Sequence, residues 1–336
     1  MKILITGGAG YIGSHTIIEL IRQGFNEVVS VDNFLNSSEV TYSRIEKITG
    51  IKIKHYSTDL KNIAALDEVF TKEKFDSVIH FAALKSVPES VASPIIYYQN
   101  NLLSLTNVLE MMKKHDVNQL IYSSSCSVYG NVRTLPVTEE TELQQAESPY
   151  ALTKQIGESL IENLCSIHPR FKAISLRYFN PAGAHDSGLT GEVKTQRPSN
   201  LVPLIAMQAA GLLEELIVFG NDYNTVDGTC VRDYIHVSDI ANAHVKALTK
   251  IDDLDTNYCV YNLGSGTGMT TLKVIDAFEK INKVKINYSI GPRRAGDVEA
   301  IFAGNSKAKK GLAWEIRHDI HSICNTAWKW QLNSSS

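Results

Sequence analysis

Short apolar runs alternate with amphipathic stretches through the first half of the chain, and this alternation predicts the fold. The apolar runs predict strands at 2–6, 27–31, 51–56, 76–81, 119–124 and 172–179. The stretches between them have apolar residues at helical spacing and predict helices at 11–22, 38–48, 62–72, 97–115 and 149–168. Strands and helices that alternate in this way form a parallel sheet with helices on both faces.

The second half of the chain keeps this alternation only in part. A helix near 238–250 leads into a strand at 258–263, which we expect to join the same sheet. The remaining segments are richer in turn residues. We therefore predict an α/β protein with two domains. A Rossmann-like, doubly wound parallel sheet would comprise residues 1–180 and 236–263, and a smaller mixed α/β domain would comprise 181–235 and 264–336.

Composition and charge are those of an ordinary globular protein. The chain is 43% hydrophobic and 21% charged with a net charge of −3, so we expect no nucleic acid as partner. The five cysteines are odd in number, scattered and outside any CxxC motif, which argues for reduced thiols and against structural zinc. No run approaches the ~18 apolar residues of a membrane span, and the start lacks the apolar centre of a secretory signal. We expect a cytoplasmic protein.

A glycine-rich segment, GGAGYIGS, follows the first predicted strand and opens the first helix. Gly7, Gly10 and Gly13 permit a tight turn and close approach of the backbone to a pyrophosphate, while the helix N-terminus supplies N–H donors. Asp32 ends the second strand, where its carboxylate would bind a ribose diol and repel a 2′-phosphate. The segment predicts NAD, in preference to NADP, as cofactor. The alternative is a structural glycine turn with a solvated aspartate.

A second set of candidates follows the fifth strand. Ser123, Ser124 and Ser125 lie at the carboxyl end of this strand, where open α/β sheets bind ligands. In the segment SPYALTK, Tyr150 follows a proline at a predicted helix start, and Lys154 lies four residues later on the same helix face. A nearby ammonium lowers the pKa of a phenol, so this pair could transfer protons. Taken alone, the same residues also fit an ordinary helix contact and a serine turn.

Several long motifs, in their order along the chain, resemble the extended short-chain dehydrogenase/reductase family and, within it, the nucleotide-sugar 4-epimerases. They are GGAGYIGSH, VDNF, HFAALKSVPES, YYQNN, SSSCSVYG, PYALTK, RYFNPAGAH, FGNDYNTVDGTCVRDYIHV and GPRRAGDVE, and they cover essentially the whole chain. The resemblance implies interconversion of UDP-galactose and UDP-glucose through a transient 4-keto sugar and tightly bound NADH. It also implies that Tyr150 is the catalytic base and acid, that Lys154 lowers its pKa and holds the nicotinamide ribose, and that Ser125 bonds the reacting sugar oxygen.

Two binding regions are predicted from these residues and the resemblance. The cofactor would contact Gly7, Gly10, Tyr11, Ile12, Gly13, Asp32, Asn33, Asp59, Leu60, Phe81, Ala82, Ala83, Lys85, Asn100, Ser123, Tyr150, Lys154 and Tyr178. The UDP-sugar would contact Lys85, Ser125, Tyr150, Asn180, Asn200, Leu201, Phe219, Arg232, Arg294, Asp297 and Ile301. The two arginines suit a diphosphate because guanidinium forks match phosphate oxygens, whereas the adjacent Arg293 is the weaker candidate. The resemblance further implies a homodimer, for which the helices at 97–115 and 149–168 are candidates.

Alternative functions on the same fold are nucleotide-sugar 4,6-dehydratases and uronate decarboxylases. These enzymes carry a carboxylate just before the VYG motif, where this chain has Cys126 and Ser127. Cys126 has no suitably spaced histidine and is predicted to be a packing residue. A catalytically silent NAD-binding regulator would not need to keep Ser125, Tyr150 and Lys154 together.

The substrate range depends on Ile301, four residues after Asp297. In the family a tyrosine at this place excludes N-acetyl groups and a small residue admits them. Isoleucine is neither, so a UDP-N-acetylglucosamine 4-epimerase or a dual-specificity epimerase stays an alternative. Elsewhere, GSGTG at 264–268 lacks the GK[ST] of a phosphate loop, and His185 and His236 are isolated, so we expect a structural turn and no metal.

Overall fold

The computed structural model of the protein describes residues 1–193, 200–294 and 297–334. Within these ranges the strands are β1 (Ile3–Thr6), β2 (Val28–Asp32), β3 (Lys54–Ser57), β4 (Ser77–His80), β5 (Gln119–Ser125), β6 (Lys172–Tyr178), β7 (Asn180–Ala182), β8 (Leu216–Phe219), β9 (Val231–His236), β10 (Tyr258–Leu263), β11 (Gly268–Thr270), β12 (Tyr288–Gly291) and β13 (Ala300–Ile301). The helices are α1 (Tyr11–Arg22), α2 (Val40–Thr49), α3 (Ile63–Glu73), α4 (Val87–Ala92), α5 (Pro94–Tyr97), α6 (Leu103–Lys114), α7 (Pro149–Ile167), α8 (Leu201–Ala209), α9 (Val237–Lys250), α10 (Thr271–Asn282), α11 (Ser306–Gly311) and α12 (Ile320–Ser334). A π-helical turn (Tyr98–Leu102) joins α5 to α6, and 3₁₀ turns lie at Cys126–Tyr129 and Ile251–Asp253.

Seven of these strands form one parallel sheet in the order β3-β2-β1-β4-β5-β6-β10. The winding reverses between β1 and β4, and such a switch opens a crevice at the carboxyl ends of the strands. The predicted α/β, doubly wound fold is confirmed, including the strand at 258–263 that follows α9.

The predicted element boundaries differ from the structure by three residues at two places and by one or two residues at several others. Strand β3 begins at Lys54, three residues later than predicted, because its pairing with β2 runs only from Lys54 to Ser57. The helix predicted at 97–115 begins earlier, at Pro94, and contains the π-helical turn. Proline suits a helix start because its missing N–H needs no partner there.

Helices cover both faces of the sheet, and alternate side chains of each strand contribute to two cores. In β1, Ile3 and Ile5 pack with side chains of α1, α2 and α9 on one face. Leu4 packs with side chains of α3, α6 and α7 on the other. Because both faces are covered, the strands are nearly continuous apolar runs, and the functional groups are displaced to the strand ends.

A second group of strands lies beside the carboxyl edge of this sheet. Strand β9 pairs in parallel with β7 and β13 and antiparallel with β11, while β8 and β12 form a separate parallel pair. Side chains of α8, α10 and α12 form a third core around Ile205, Phe278 and Cys324. Among the residues that the structure describes, no helix has the length and apolar character needed to cross a lipid bilayer.

Candidate active site

A cleft of about 600 Å³ lies at the carboxyl ends of the parallel strands and extends to the smaller sheets. Every residue predicted above for catalysis, for the cofactor or for the substrate lines this one cleft. The segments that supply them are far apart in sequence, from Gly7 to Ile301, and the fold brings them together.

The glycine turn at one end of the cleft has room for backbone atoms but none for side chains. Gly7 has a φ of +73°, and a Cβ there would lie 2.8 Å from the backbone nitrogen of Ala82. A Cβ at Gly13 would overlap the carbonyl oxygen of Gly7. Helix α1 begins directly after Gly10, which has no side chain to cap it, so its first N–H groups point towards the cleft edge. The turn therefore fits a pyrophosphate.

Asp32 is fixed in place at the end of β2. Its carboxylate accepts hydrogen bonds from the backbone N–H groups of Ala9 (3.0 Å) and Phe34 (2.9 Å) and from the hydroxyl of Ser37 (2.8 Å). A carboxylate held in this way at the cleft fits a ribose diol and repels a 2′-phosphate. Asp59, farther along the same edge, accepts a hydrogen bond from the backbone N–H of Lys61 (2.9 Å).

Lys85, which follows strand β4 along the chain, lines the cleft. Its Nζ donates to Oε1 of Glu192 at 2.5 Å and lies 5.9 Å from the ring centre of Tyr11. Asn200, just before α8, donates to the same carboxylate oxygen at 3.3 Å. The sequence analysis did not identify Glu192, which lies in no motif of recognised chemistry and acquires its position from tertiary contacts.

Ser125, Tyr150 and Lys154 meet where β5 ends and α7 begins. Ser148 caps α7 by accepting a hydrogen bond from the N–H of Ala151 (3.2 Å), which places Tyr150 in the first turn and Lys154 one turn later. Burial raises the pKa of Tyr150 to about 12, although a hydrogen bond with Ser125 acts in the opposite direction. In the chain itself, the phenol is therefore neutral near pH 7.

That Lys154 lowers the pKa of Tyr150 stays a prediction, since in the chain itself this pKa depends on burial, Ser125 and Cys126. The Nζ of Lys154 donates to the carbonyl oxygen of Ser123 (2.6 Å) and lies 4.8 Å from the ring centre of Tyr122. Burial lowers the pKa of Lys154 to about 8, and Glu158 acts to raise it. Spacing placed Tyr150 and Lys154 on one helix face, and burial has the largest effect on the pKa of the phenol.

Tyr178, at the end of β6, is anchored by a residue that the sequence analysis missed. Its hydroxyl lies 2.5 Å from Nε2 of His244, whose Nδ1 lies 2.9 Å from the carbonyl oxygen of Ile240. The backbone carbonyl sets the tautomer, because Nδ1 must donate to it, so Nε2 accepts the proton of Tyr178. His244 therefore fixes the position of the Tyr178 hydroxyl.

Two arginines converge on one carboxylate at the other end of the cleft. Arg294 donates from Nε and Nη2 to Asp297 (3.1 and 2.9 Å), and Arg232 donates from Nη2 to the same residue (3.4 Å). Arg294 also lies 5.6 Å from the ring centre of Phe219. Arg293 lies outside the cleft lining, where it pairs with Asp222 on the surface. This partly buried carboxylate holds two guanidinium groups at the place predicted for a diphosphate.

The remaining motif candidates have structural partners. The N–H groups of the GSGTG turn at Ser265 and Gly266 donate to the carboxylate of Asp233 (2.7 and 3.1 Å), so they serve a side chain of the protein. His185 lies 2.7 Å from Arg22, and burial lowers the pKa of His185 to about 4. These contacts agree with the structural interpretation of the glycine turn and of this histidine.

His236 caps α9 by accepting a hydrogen bond from the N–H of Ser238 (3.1 Å), and burial lowers its pKa to about 2. Burial raises the pKa of Cys126 to about 12, and its side chain packs against the apolar cluster around Val128 and Ile301. A thiol with so high a pKa is a poor nucleophile, as expected of a packing residue.

Comparison with known proteins identifies the family. Residues 3–264 match the model of the NAD dependent epimerase/dehydratase family. The chain is 46% identical to the UDP-glucose 4-epimerase of Bacillus subtilis, over 98% of this chain and 97% of that protein. It is similar to the structure of the UDP-glucose 4-epimerase from Bifidobacterium longum in complex with NAD+ and UDP (46% identity, TM-score 0.96, covering 100% and 99% of the two chains). It is also similar to the UDP-Glc/GlcNAc 4-epimerase from Campylobacter jejuni (35% identity, TM-score 0.85, 99% of each chain). The chain belongs to the NAD dependent epimerase/dehydratase family, as the resemblance to extended short-chain dehydrogenases/reductases predicted.

Proposed function

We propose that this protein is an NAD-dependent UDP-glucose 4-epimerase, which interconverts UDP-galactose and UDP-glucose. One observation carries the proposal: a single cleft joins the glycine turn and Asp32, the group Ser125, Tyr150 and Lys154, and the paired arginines. The cofactor end, the reacting groups and the diphosphate end thus follow one another along one surface. The similarity to UDP-glucose 4-epimerases over nearly the full length supports the same function.

The cofactor end would hold NAD through the glycine turn, the start of α1 and Asp32. When bound, NAD supplies a hydride acceptor and a positive charge on its nicotinamide ring. Lys154, Ser123 and Tyr178 surround the place predicted for the nicotinamide ribose. The ammonium of Lys154 keeps its charge near pH 7 because its pKa is about 8.

Tyr150 would exchange a proton with the 4-hydroxyl of the sugar, with Ser125 bonded to the same oxygen. The phenol holds its proton in the chain itself, since burial raises the pKa of Tyr150 to about 12. Burial also provides a low effective dielectric, in which a neighbouring positive charge acts strongly on the phenol. A phenol with a high pKa is a strong base once ionised, so it can both remove the proton and return it.

The grip on the substrate is uneven along the cleft, as the reaction requires. Arg232 and Arg294 supply donors for the diphosphate, while Phe219 and Leu201 supply apolar surface near them. The predicted sugar region has the aliphatic Ile301 on strand β13, packed against Val128 and Phe179. The side chain of Ile301 cannot form a hydrogen bond with the sugar, so it does not fix which face the sugar presents to the reacting groups.

A dual-specificity epimerase is the second candidate, and Ile301 favours it. Isoleucine lacks the ring and hydroxyl of the tyrosine that closes this space in glucose-specific relatives. The UDP-Glc/GlcNAc 4-epimerase from Campylobacter jejuni is 35% identical to this chain over 99% of its length. We expect UDP-glucose and UDP-galactose to be the main substrates, with some turnover of N-acetylated UDP-sugars.

The homodimer belongs to the same proposal. Ile95 and Ile96 on α5, Leu103 on α6 and Leu152 on α7 are exposed. These apolar side chains lie on the helices predicted for the dimer contact, and burial against a second copy would remove them from water. Light scattering after size-exclusion chromatography should give twice the monomer mass, and Ile96→Glu should give the monomer. A monomeric wild-type chain would refute the dimer.

The five free thiols support the cytoplasmic location.

Steady-state assays of the purified chain test the enzymatic proposal. UDP-galactose and UDP-N-acetylgalactosamine are supplied in parallel, and the epimers are separated and quantified. We expect turnover of UDP-galactose without added reductant or metal, and slower turnover of the N-acetylated sugar. Absence of turnover of either sugar by NAD-loaded protein would refute the proposal.

A further inference from the structure

A buried ion pair lies behind the catalytic residues. Glu158 on α7 and Arg177 on β6 are each only 5% exposed. Arg177 donates from Nε to Oε1 (2.9 Å) and from Nη2 to Oε2 (2.6 Å), which is a bidentate arrangement. Neither residue lines the cleft, so neither is expected to touch substrate or cofactor.

The remaining hydrogen bonds of this pair reach both sides of Ser125. The Oγ of Ser124 donates to Oε1 of Glu158 (2.5 Å), and Nη1 of Arg177 donates to the hydroxyl of Tyr129 (2.9 Å). Ser124 precedes Ser125, and Tyr129 ends the 3₁₀ turn that follows it. The segment that carries Ser125 is therefore tied down at both ends by one ion pair.

The same pair fixes helix α7 against strand β5. Glu158 lies one turn after Lys154 and two turns after Tyr150, on the buried side of the helix. Gly157 allows the close approach, because a Cβ there would overlap the hydroxyl of Tyr122. The carboxylate of Glu158, which holds the segment of Ser125, thus belongs to the helix that carries Tyr150 and Lys154.

Stability is a weak explanation for such a pair. Desolvation of two buried charges cancels most of their attraction, and apolar residues of similar volume are often as stabilising. A fully hydrogen-bonded buried network does, however, define one geometry strictly. An error of about 1 Å in the position of a catalytic group can lower the rate by about 10²-fold.

We propose that Glu158 and Arg177 are positioning residues of the epimerase, which hold the Ser125 segment and helix α7 so that Ser125 meets Tyr150. Ser124 and Tyr129 are the links through which the pair acts. This inference rests on the proposed function, because it concerns the same reaction.

The test removes the links and leaves the ion pair intact. Ser124→Ala and Tyr129→Phe each delete one hydroxyl, and the double variant deletes both. We expect the double variant to retain NAD and the KM for UDP-galactose within about threefold, and to lose kcat by about 10- to 100-fold. A double variant with kcat within twofold of the wild type would overturn the proposal.

A charge-removing variant provides a second readout. Glu158→Gln is compared with Glu73→Gln, which neutralises an equally buried carboxylate on α3, outside the cleft lining. Because Glu158 acts to raise the pKa of Lys154, its loss should shift the alkaline limb of the kcat profile to lower pH. Glu73→Gln should leave the limb in place.

The alkaline limb reports on Lys154 because its neighbours His80, Tyr150 and Tyr122 keep one protonation state in this range. Burial lowers the pKa of His80 to about 3 and raises that of Tyr150 to about 12. Burial also raises the pKa of Tyr122 well above its ordinary value. An unmoved limb together with an unchanged kcat in Glu158→Gln would overturn the proposal. Absence of turnover by the wild-type chain would instead refute the proposed function, so the two failures are distinguishable.

Discussion

Replacement of Arg294 by methionine tests the diphosphate end of the cleft. Methionine keeps the aliphatic stem and removes the guanidinium group, which donates two hydrogen bonds to Asp297 in the chain itself. A hydrogen bond to a charged group contributes about 1.5–3 kcal/mol, and each 1.4 kcal/mol is a factor of ten. Loss of one such bond to a phosphate therefore weakens UDP binding by about 10- to 150-fold. Asp297 would also keep only the longer contact with Arg232, and its less well neutralised carboxylate would repel the phosphates.

The adjacent Arg293 provides a matched control for this experiment. Its guanidinium group pairs with Asp222 at 2.7 Å, with side-chain exposures of 47% and 68%. Both side chains are exposed, and Arg293 is not among the residues that line the cleft. Calorimetric titration with UDP should give a much weaker Kd for Arg294→Met and an unchanged Kd, within twofold, for Arg293→Met. Equal Kd values for the two variants would refute the assignment of Arg294.

Three further variants test the catalytic, cofactor and stability claims. Tyr150→Phe should fold and bind UDP but lose turnover by about 10²–10⁴, as expected for a lost acid–base group, and near-wild-type turnover would contradict its role. Gly13→Ala should prevent retention of NAD because the new methyl group overlaps the carbonyl oxygen of Gly7. Gly24→Ala, which has no atom within 4 Å of the new methyl group, should retain NAD. The amount of nucleotide released on acid denaturation measures retention in both variants. Although burial raises the pKa of Glu73, hydrogen bonds from two lysines and a tyrosine lower it to about 2, below its ordinary value of 4.5. The stabilising contribution of Glu73 is therefore present above about pH 4.5 and lost as the pH falls towards 2. Glu73→Gln should flatten the decline of Tm over this range. Parallel curves of Tm against pH for the variant and the wild type would contradict the assignment.

The local features of the fold could be predicted because their causes are local. Apolar runs bounded by turn residues form buried strands wherever helices cover both faces, and the predicted strands of the central sheet are all present. The glycine turn follows β1 directly, so its position at the sheet edge follows from chain connectivity. The short strands β11 and β13 were not predicted, because two or three residues carry too little periodicity and their pairing with β9 is a long-range contact.

The sequence by itself placed the glycine turn, Asp32 and Ser125 at the edge of the sheet, because connectivity and strand ends decide that. Tertiary structure alone decided what those residues do to one another. Tyr150 and Lys154 share a helix face by their spacing, yet burial sets the pKa of the phenol, and the carbonyl oxygen of Ser123 receives the ammonium. Likewise, Glu158 and Arg177 lie on different elements, and nothing in their sequence neighbourhood indicates a pair. Desolvation and long-range hydrogen bonds depend on the whole packed chain, and local sequence therefore cannot predict them.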